Sequence, residues 1–211
     1  IANEPEKAFA PDQAEHTAWA LWEVMRMSGH QAGSSSWNRD FIEQYFDQRT
    51  ADQLRTAMCI AWRKNRPTLR TERPADEKNQ FPMVWDMGLA GIAAEAEDAK
   101  WTTKLSSDEA KLAARYVPLD LNDFPPWLES LARCHPESVE SVLWPELASE
   151  LDEMATHNAH RMFLHSVRRT TKTVAGLFLP KLRLWLDTNH QRMRDGEDRV
   201  RVAERLRSVI E

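Results

Sequence analysis

Glu153, His157 and His160 are spaced four and three residues apart, a pattern that on one helix aims a carboxylate and two imidazoles the same way, as a zinc site would need. Thr156 and Asn158 sit among them where a helix can end and restart, and three ligands from a single helix do not enclose a metal. These histidines therefore read as surface or capping residues. Acidic pairs such as Asp152 with Glu153 and Glu197 with Asp198 are adjacent in sequence, and adjacent residues do not face each other on a helix, so they read as solvated faces. The chain has no phosphate-loop pattern (GxxxxGKS or GxxxxGKT), no GxGxxG, no GxSxG and no HExxH. Cys59 and Cys134 follow no metal or redox spacing and read as two half-buried thiols. The expectation is a protein with no catalytic activity of its own, no catalytic residue, no metal and no cofactor.

Charge is the one feature that rises above this background. Residues 156–211 carry 12 Lys and Arg against 6 Asp and Glu, whereas the first 155 residues carry 16 against 27. If a helix follows Asn158, then Arg161, His165, Arg168, Arg169 and Lys172 fall within a sector of roughly 100°, opposite Met162, Phe163 and Val167. Such a basic stripe has three readings: a solvated face that balances the acidic part of the chain, a docking face for an acidic protein partner, or a phosphate-contacting face for nucleic acid. The five residues are the candidate partner-binding set. The partner is expected to be another protein or other domains of the same polypeptide, with a nucleic-acid-binding module in the C-terminal third as the alternative.

The elements that must position these residues follow from apolar periodicity near 3.6. Residues 12–28 bring Ala14, Ala18, Leu21, Trp22 and Met25 into one sector and end at Gly29. Asn38 caps a short helix carrying Phe41, Ile42, Tyr45 and Phe46. Thr50 with Gln53 forms a capping box for the helix that carries Leu54, Ala57, Met58, Ala61 and Trp62. Residues 65–81 then lose the apolar pattern. They form a long polar loop, either a mobile connector or a binding segment. Val84, Trp85, Gly88, Leu89, Ile92 and Ala96 resume it on one face, and Ser106 with Glu109 caps the next helix, which ends before Pro118. Tyr116 to Leu121 reads as an extended connector. Asp123 caps a helix that buries Trp127, Leu128, Leu131 and Ala132, and Pro136 starts another, which Pro145 either kinks or divides. A longer helix from Asn158 places Ala159, Met162, Phe163, Val167 and Val174 inward, and Pro180 breaks or kinks the chain within Gly176–Pro180. Val202, Ala203, Leu206, Val209 and Ile210 face inward on the last helix. Among the 9 tryptophans, Trp22, Trp62, Trp85, Trp127 and Trp185 sit on inferred inner faces.

The fold class is accordingly all-α: an irregular α-solenoid or helical-hairpin array of about ten helices, with an N-terminal helical part at 1–64, the polar loop at 65–81 and a C-terminal helical-repeat-like part at 82–211. The alternative division is one continuous domain. No strict repeat of tetratricopeptide or ankyrin length is present. The segment Pro125-Pro126-Trp127-Leu128-Glu129-Ser130-Leu131-Ala132, continued by Pro136-Glu137-Ser138-Val139, resembles the HEAT-like helical-repeat regions of large bacterial multidomain proteins of the NACHT type. The resemblance extends mainly from Trp37 to Leu151 and carries no family catalytic residue. It implies a scaffold or sensor segment, with any nucleotide-binding module elsewhere in the polypeptide. Ile1 in place of Met fits an excised piece. No apolar run approaches the ~20 residues that span a bilayer, so a cytoplasmic protein with no membrane partner is expected.

Overall fold

In the computed structural model the described residues are 4–28, 37–78, 80, 82–120, 123–157 and 162–210. Among them there are eleven α-helices and no strand, so the all-α expectation holds. The helices are α1 (Pro5–Ala8), α2 (Ala14–Met27), α3 (Arg39–Tyr45), α4 (Gln48–Lys64), α5 (Met83–Glu95), α6 (Ser107–Ala114), α7 (Leu128–Cys134), α8 (Pro136–Asp152), α9 (Met162–Arg169), α10 (Lys172–Asn189) and α11 (Arg199–Ile210). None of these helices is long and apolar enough to cross a membrane.

Helix starts follow local chemistry where a side chain is free to satisfy the first amides. Asn38 accepts the Phe41 amide at 3.0 Å, and Ser106 and Glu109 form the expected reciprocal box at the start of α6. At α4 the sequence reading is corrected. Asp47, in extended conformation, accepts the Thr50 amide at 2.6 Å, and Thr50 is fully buried one turn inside the helix. A carboxylate at the positive end of a helix is the stronger cap, and its ionised form is favoured there. Asp123 is likewise not a cap, because α7 begins only at Leu128. Tyr116 to Leu119 is not extended but closes a 3-10 turn over Val117–Leu119.

Neither internal proline ends a helix. Pro145 and Pro180 lie inside α8 and α10, on exposed positions, and the residues four back, Ser141 and Gly176, are exposed as well. Water can therefore take the carbonyl that each proline leaves unbonded. The break falls earlier, at Thr170–Thr171, where Thr171 is extended at φ −69° and ψ 156°. The expected helix from Asn158 is thus two helices, and residues 158–161, with Ala159, lie outside the described set, as does Gly29.

The apolar core has two clusters that meet at α5. One gathers α2, α3 and α4 with Met87, Ala90 and Ala94 of α5; the other gathers Leu89 and Ile92 of α5 with Trp101, Tyr116, Leu131, Leu143 and Phe178. Helix α5 is consequently buried on almost every side rather than along the single face expected. Two glycines make this possible. A Cβ on Gly91 would lie 2.5 Å from the Met58 carbonyl oxygen of α4, and one on Gly88 would overlap the ring of Tyr116. Tyr116 lies across α5 and donates its hydroxyl to the Trp62 carbonyl at 2.8 Å. Of the five tryptophans expected inside, Trp22, Trp62 and Trp127 are buried, whereas Trp85 and Trp185 are half-buried and packed against the larger cluster. The last helix also departs from its pattern: Val202 is buried as expected, but Ala203 and Ile210 are exposed and Arg205 is buried in their stead.

Two glycine substitutions should have opposite signs. Gly91→Ala forces α4 and α5 apart and should lower unfolding free energy by about 1–3 kcal/mol. Gly176→Ala, where a Cβ meets nothing within 4 Å, should raise it by up to about 1 kcal/mol through helix propensity. Chemical denaturation of both variants checks the pair.

Candidate functional site

The polar segment 65–81 is held down by side chains far away in sequence. Glu146 of α8, itself buried, accepts the Arg70 amide at 3.2 Å and the Thr71 amide at 2.9 Å, and takes the Thr71 hydroxyl as well. Arg115, buried after α6, donates to the Pro67 carbonyl at 2.6 Å and pairs with Glu72, whose carboxylate also accepts the Leu69 amide. Arg73 closes the segment on itself by donating to the carbonyls of Thr68, Lys78 and Gln80 while stacking over Trp85. These bonds make the described part of the segment a wall packed on α8 and the end of α6.

That wall faces α8, α9 and the turn after α6 across a cleft of about 320 Å³. Its floor is apolar, with Leu119, Phe124 and Phe163 among the contributors, and Phe124 meets Phe163 edge-to-face at 5.0 Å between ring centres. Arg70, Arg73 and Lys78 line its loop side. Glu146, Glu150 and Asp120 also reach it.

Glu150 is the electrostatically unusual group. Its carboxylate accepts the amides of Phe163 at 2.8 Å and Leu164 at 2.9 Å and so caps the start of α9 from α8. Burial pushes its carboxyl up to about 7; the two amides and Arg70 oppose the rise, and Glu153 adds to it. Both oxygens are turned to backbone amides, and no hydroxyl, thiol or imidazole among the described residues is paired with them. The carboxyl acts here as a helix cap.

The predicted basic residues are only partly gathered. His165, Arg168 and Arg169 are exposed on α9, Lys172 is exposed at the first position of α10, and Arg161 lies outside the described residues. The stripe is therefore interrupted by the Thr170–Thr171 break. Arg169 pairs with Asp123 at 3.2 Å and approaches the His165 ring at 3.4 Å. The inner face of α9 is Leu164, Ser166 and Val167, not Met162 and Phe163, because Met162 is exposed and Phe163 is half-buried at the cleft. The start of α10 has no side-chain cap and no acidic residue in its first turn.

The histidine pattern is not assembled. Helix α8 ends at Asp152, so Glu153 and His157 do not share a helix; His157 lies 3.5 Å from Asp198, and His160 is outside the described residues. Among the described residues no three His, Cys, Asp or Glu are placed to hold a metal ion. Cys59 is half-buried, its thiol pushed up to about 11 mainly by that burial, whereas Cys134 is exposed and accepts the Thr102 hydroxyl at 3.1 Å.

Sequence reasoning missed a second polar group, at the end of α8. Arg194 and Arg205 donate to the carbonyls of Leu151, Asp152 and Glu153, and both pair with Glu197, whose side chain is wholly buried. Two guanidiniums thus satisfy the terminal carbonyls of α8. The only signal in the sequence was an arginine on the apolar side of the last helix.

No family model matches this chain, and neither the curated proteins nor the solved structures gave a match.

Glu150 predicts a pH dependence. Its folded pKa lies above the unfolded value near 4.5, so the folded protein keeps a proton that the unfolded chain has lost between about 4.5 and 7. Unfolding free energy should fall as pH rises through that window and level off above it, by on the order of 3 kcal/mol at most. Glu150→Gln should remove that part of the slope, and urea titrations across the pH range measure the difference.

Proposed function

We propose that this chain is a non-catalytic helical interaction segment of a larger bacterial, cytoplasmic protein, and that it docks an acidic protein partner where α9 meets α10. The observation that carries the reading is the electropositive N-terminus of α10. This eighteen-residue helix starts with neither a side-chain cap from Thr171 nor an acidic residue; exposed Lys172 is its first residue, exposed Arg168 and Arg169 end the helix before it, and His165 lies 3.4 Å from Arg169. The free amides and dipole of a helix start favour carboxylates, and a cation at that position adds to the potential instead of cancelling it. The carboxylates already nearby behave accordingly: Asp123 is drawn to Arg169, and Glu129 accepts the Thr173 hydroxyl at 3.4 Å while pairing with Arg133. Both are partly exposed, so their pairs are screened and leave the surface able to exchange them for a partner's side chains. The likeness of residues 125–139 to helical-repeat regions supports the scaffold role.

The test is fluorescence anisotropy with a labelled oligoglutamate peptide and, in parallel, a labelled oligonucleotide. The peptide should bind, and Arg168→Glu with Arg169→Glu should weaken it by about tenfold or more. The fold should survive, at a cost of about 1 kcal/mol, since exposed charges and dipole contacts contribute little. Undiminished peptide binding in the double variant would sink the proposal. Preferential binding of the oligonucleotide, with affinity falling steeply as salt rises, would replace it with the nucleic-acid reading.

A further inference from the structure

The cleft between segment 65–81 and α8–α9 has the elements of a ligand site, independent of the α9–α10 surface. Its volume, about 320 Å³, falls at the lower end of small-molecule sites, where an apolar lining is combined with a few placed polar groups. The apolar lining comes from residues such as Leu119, Phe124 and Phe163, the last two packed edge-to-face. The polar groups divide into two kinds. Those that are already engaged hold the walls: Glu146 bonds the loop amides, Glu150 bonds the α9 amides, and Arg73 bonds loop carbonyls. Among those that are not engaged are two cations. Arg70 and Lys78 both line the cavity, and among the described residues neither side chain forms a hydrogen bond or ion pair.

We propose that this cleft binds a small organic monoanion, a carboxylate on an aromatic or branched apolar body, with the acid group met by Arg70 and Lys78 and the body seated against Phe124 and Phe163. Charge sets the choice of a monoanion. Arg70 and Lys78, whose side chains form no hydrogen bond or ion pair among the described residues, attract an acid group, while Asp120 and Glu146 on the same walls repel a second negative charge. A phosphate-type dianion is therefore disfavoured relative to a carboxylate. A neutral analogue keeps the apolar contacts and loses the charge-assisted bonds, which are the stronger kind.

The experiment is calorimetric titration of the full chain with 3-phenylpropanoate, its neutral amide and phenylphosphonate, accompanied by amide chemical shifts to locate the site. The carboxylate should bind saturably, shift the amides of Leu119 and Phe163, and exceed the amide by about tenfold or more. Arg70→Gln with Lys78→Gln should bring the carboxylate down to the level of the amide. Both side chains are partly exposed and form no hydrogen bond or ion pair among the described residues, so the melting temperature should change little, and Phe163→Leu should weaken all three probes together. No saturable binding at millimolar probe, equal affinity for acid and amide, tighter binding of the phosphonate, or a carboxylate affinity that survives the double substitution would each overturn the proposal.

Discussion

The close approach of α4 to α5 at Gly91 sets the geometry of everything built around it. With no Cβ on Gly91, the α5 backbone rests directly against the Met58 carbonyl, and with none on Gly88 the Tyr116 ring lies flat across the same helix. The phenol then reaches the carbonyls of Trp62 and Asn65 at the end of α4, with the Trp62 and Tyr116 rings edge-to-face at 6.3 Å. Trp62 in turn donates its indole N–H to Glu95, which also accepts Arg63, and Arg63 bridges on to Glu109 at the start of α6. One helix thus joins two apolar clusters, and the turn that follows Tyr116 is delivered to the edge of the cleft.

Around that centre, irregular segments are fixed by single charged side chains rather than by regular structure. Among the described residues of this segment the buried apolar anchors are Pro67 and Leu69, and Glu146, Arg115 and Arg73 add bonds to its backbone groups. A buried carboxylate that meets two amides and a hydroxyl is fully satisfied, which offsets the desolvation that burying it costs. The cleft therefore has rigid walls: one from a pinned loop, one from α8 and one from the capped end of α9.

Local signals in the sequence were legible where chemistry is local. Asn38, the Ser106–Glu109 box and Pro136 mark helix starts because each acts on amides or on its own φ within one turn. Asp47 was hidden by Thr50–Gln53, an equally good pattern three residues along; only burial of Thr50 separates them. Helix α5 misled in another way. An element buried on both sides has apolar residues all round, so a one-face reading picks an arbitrary subset. The candidate basic residues were found by type and spacing, but the continuity of their stripe was not, because nothing in the pattern of Arg169 to Lys172 announces an extended Thr171. Glu146 and Glu150 could not have been found at all. Their partners lie 75 and 14 residues away, and no spacing rule connects them.

The clasp at the end of α8 bears on how the molecule breathes. Helix α11 buries only Val202 and Arg205, and the segment before it is tied on by Glu197 to the Ala155 amide and by the Asp198 amide to the Ala155 carbonyl. Its attachment is thus largely ionic and hydrogen-bonded, with little apolar surface at stake. Releasing it returns Glu197 and Arg205 to water together, recovering hydration that their burial had cost, and gives up the packing of Val202 and Val209. The last helix is therefore expected to exchange its amides with solvent through a local opening of lower free energy than the unfolding that exposes the α4–α5 centre.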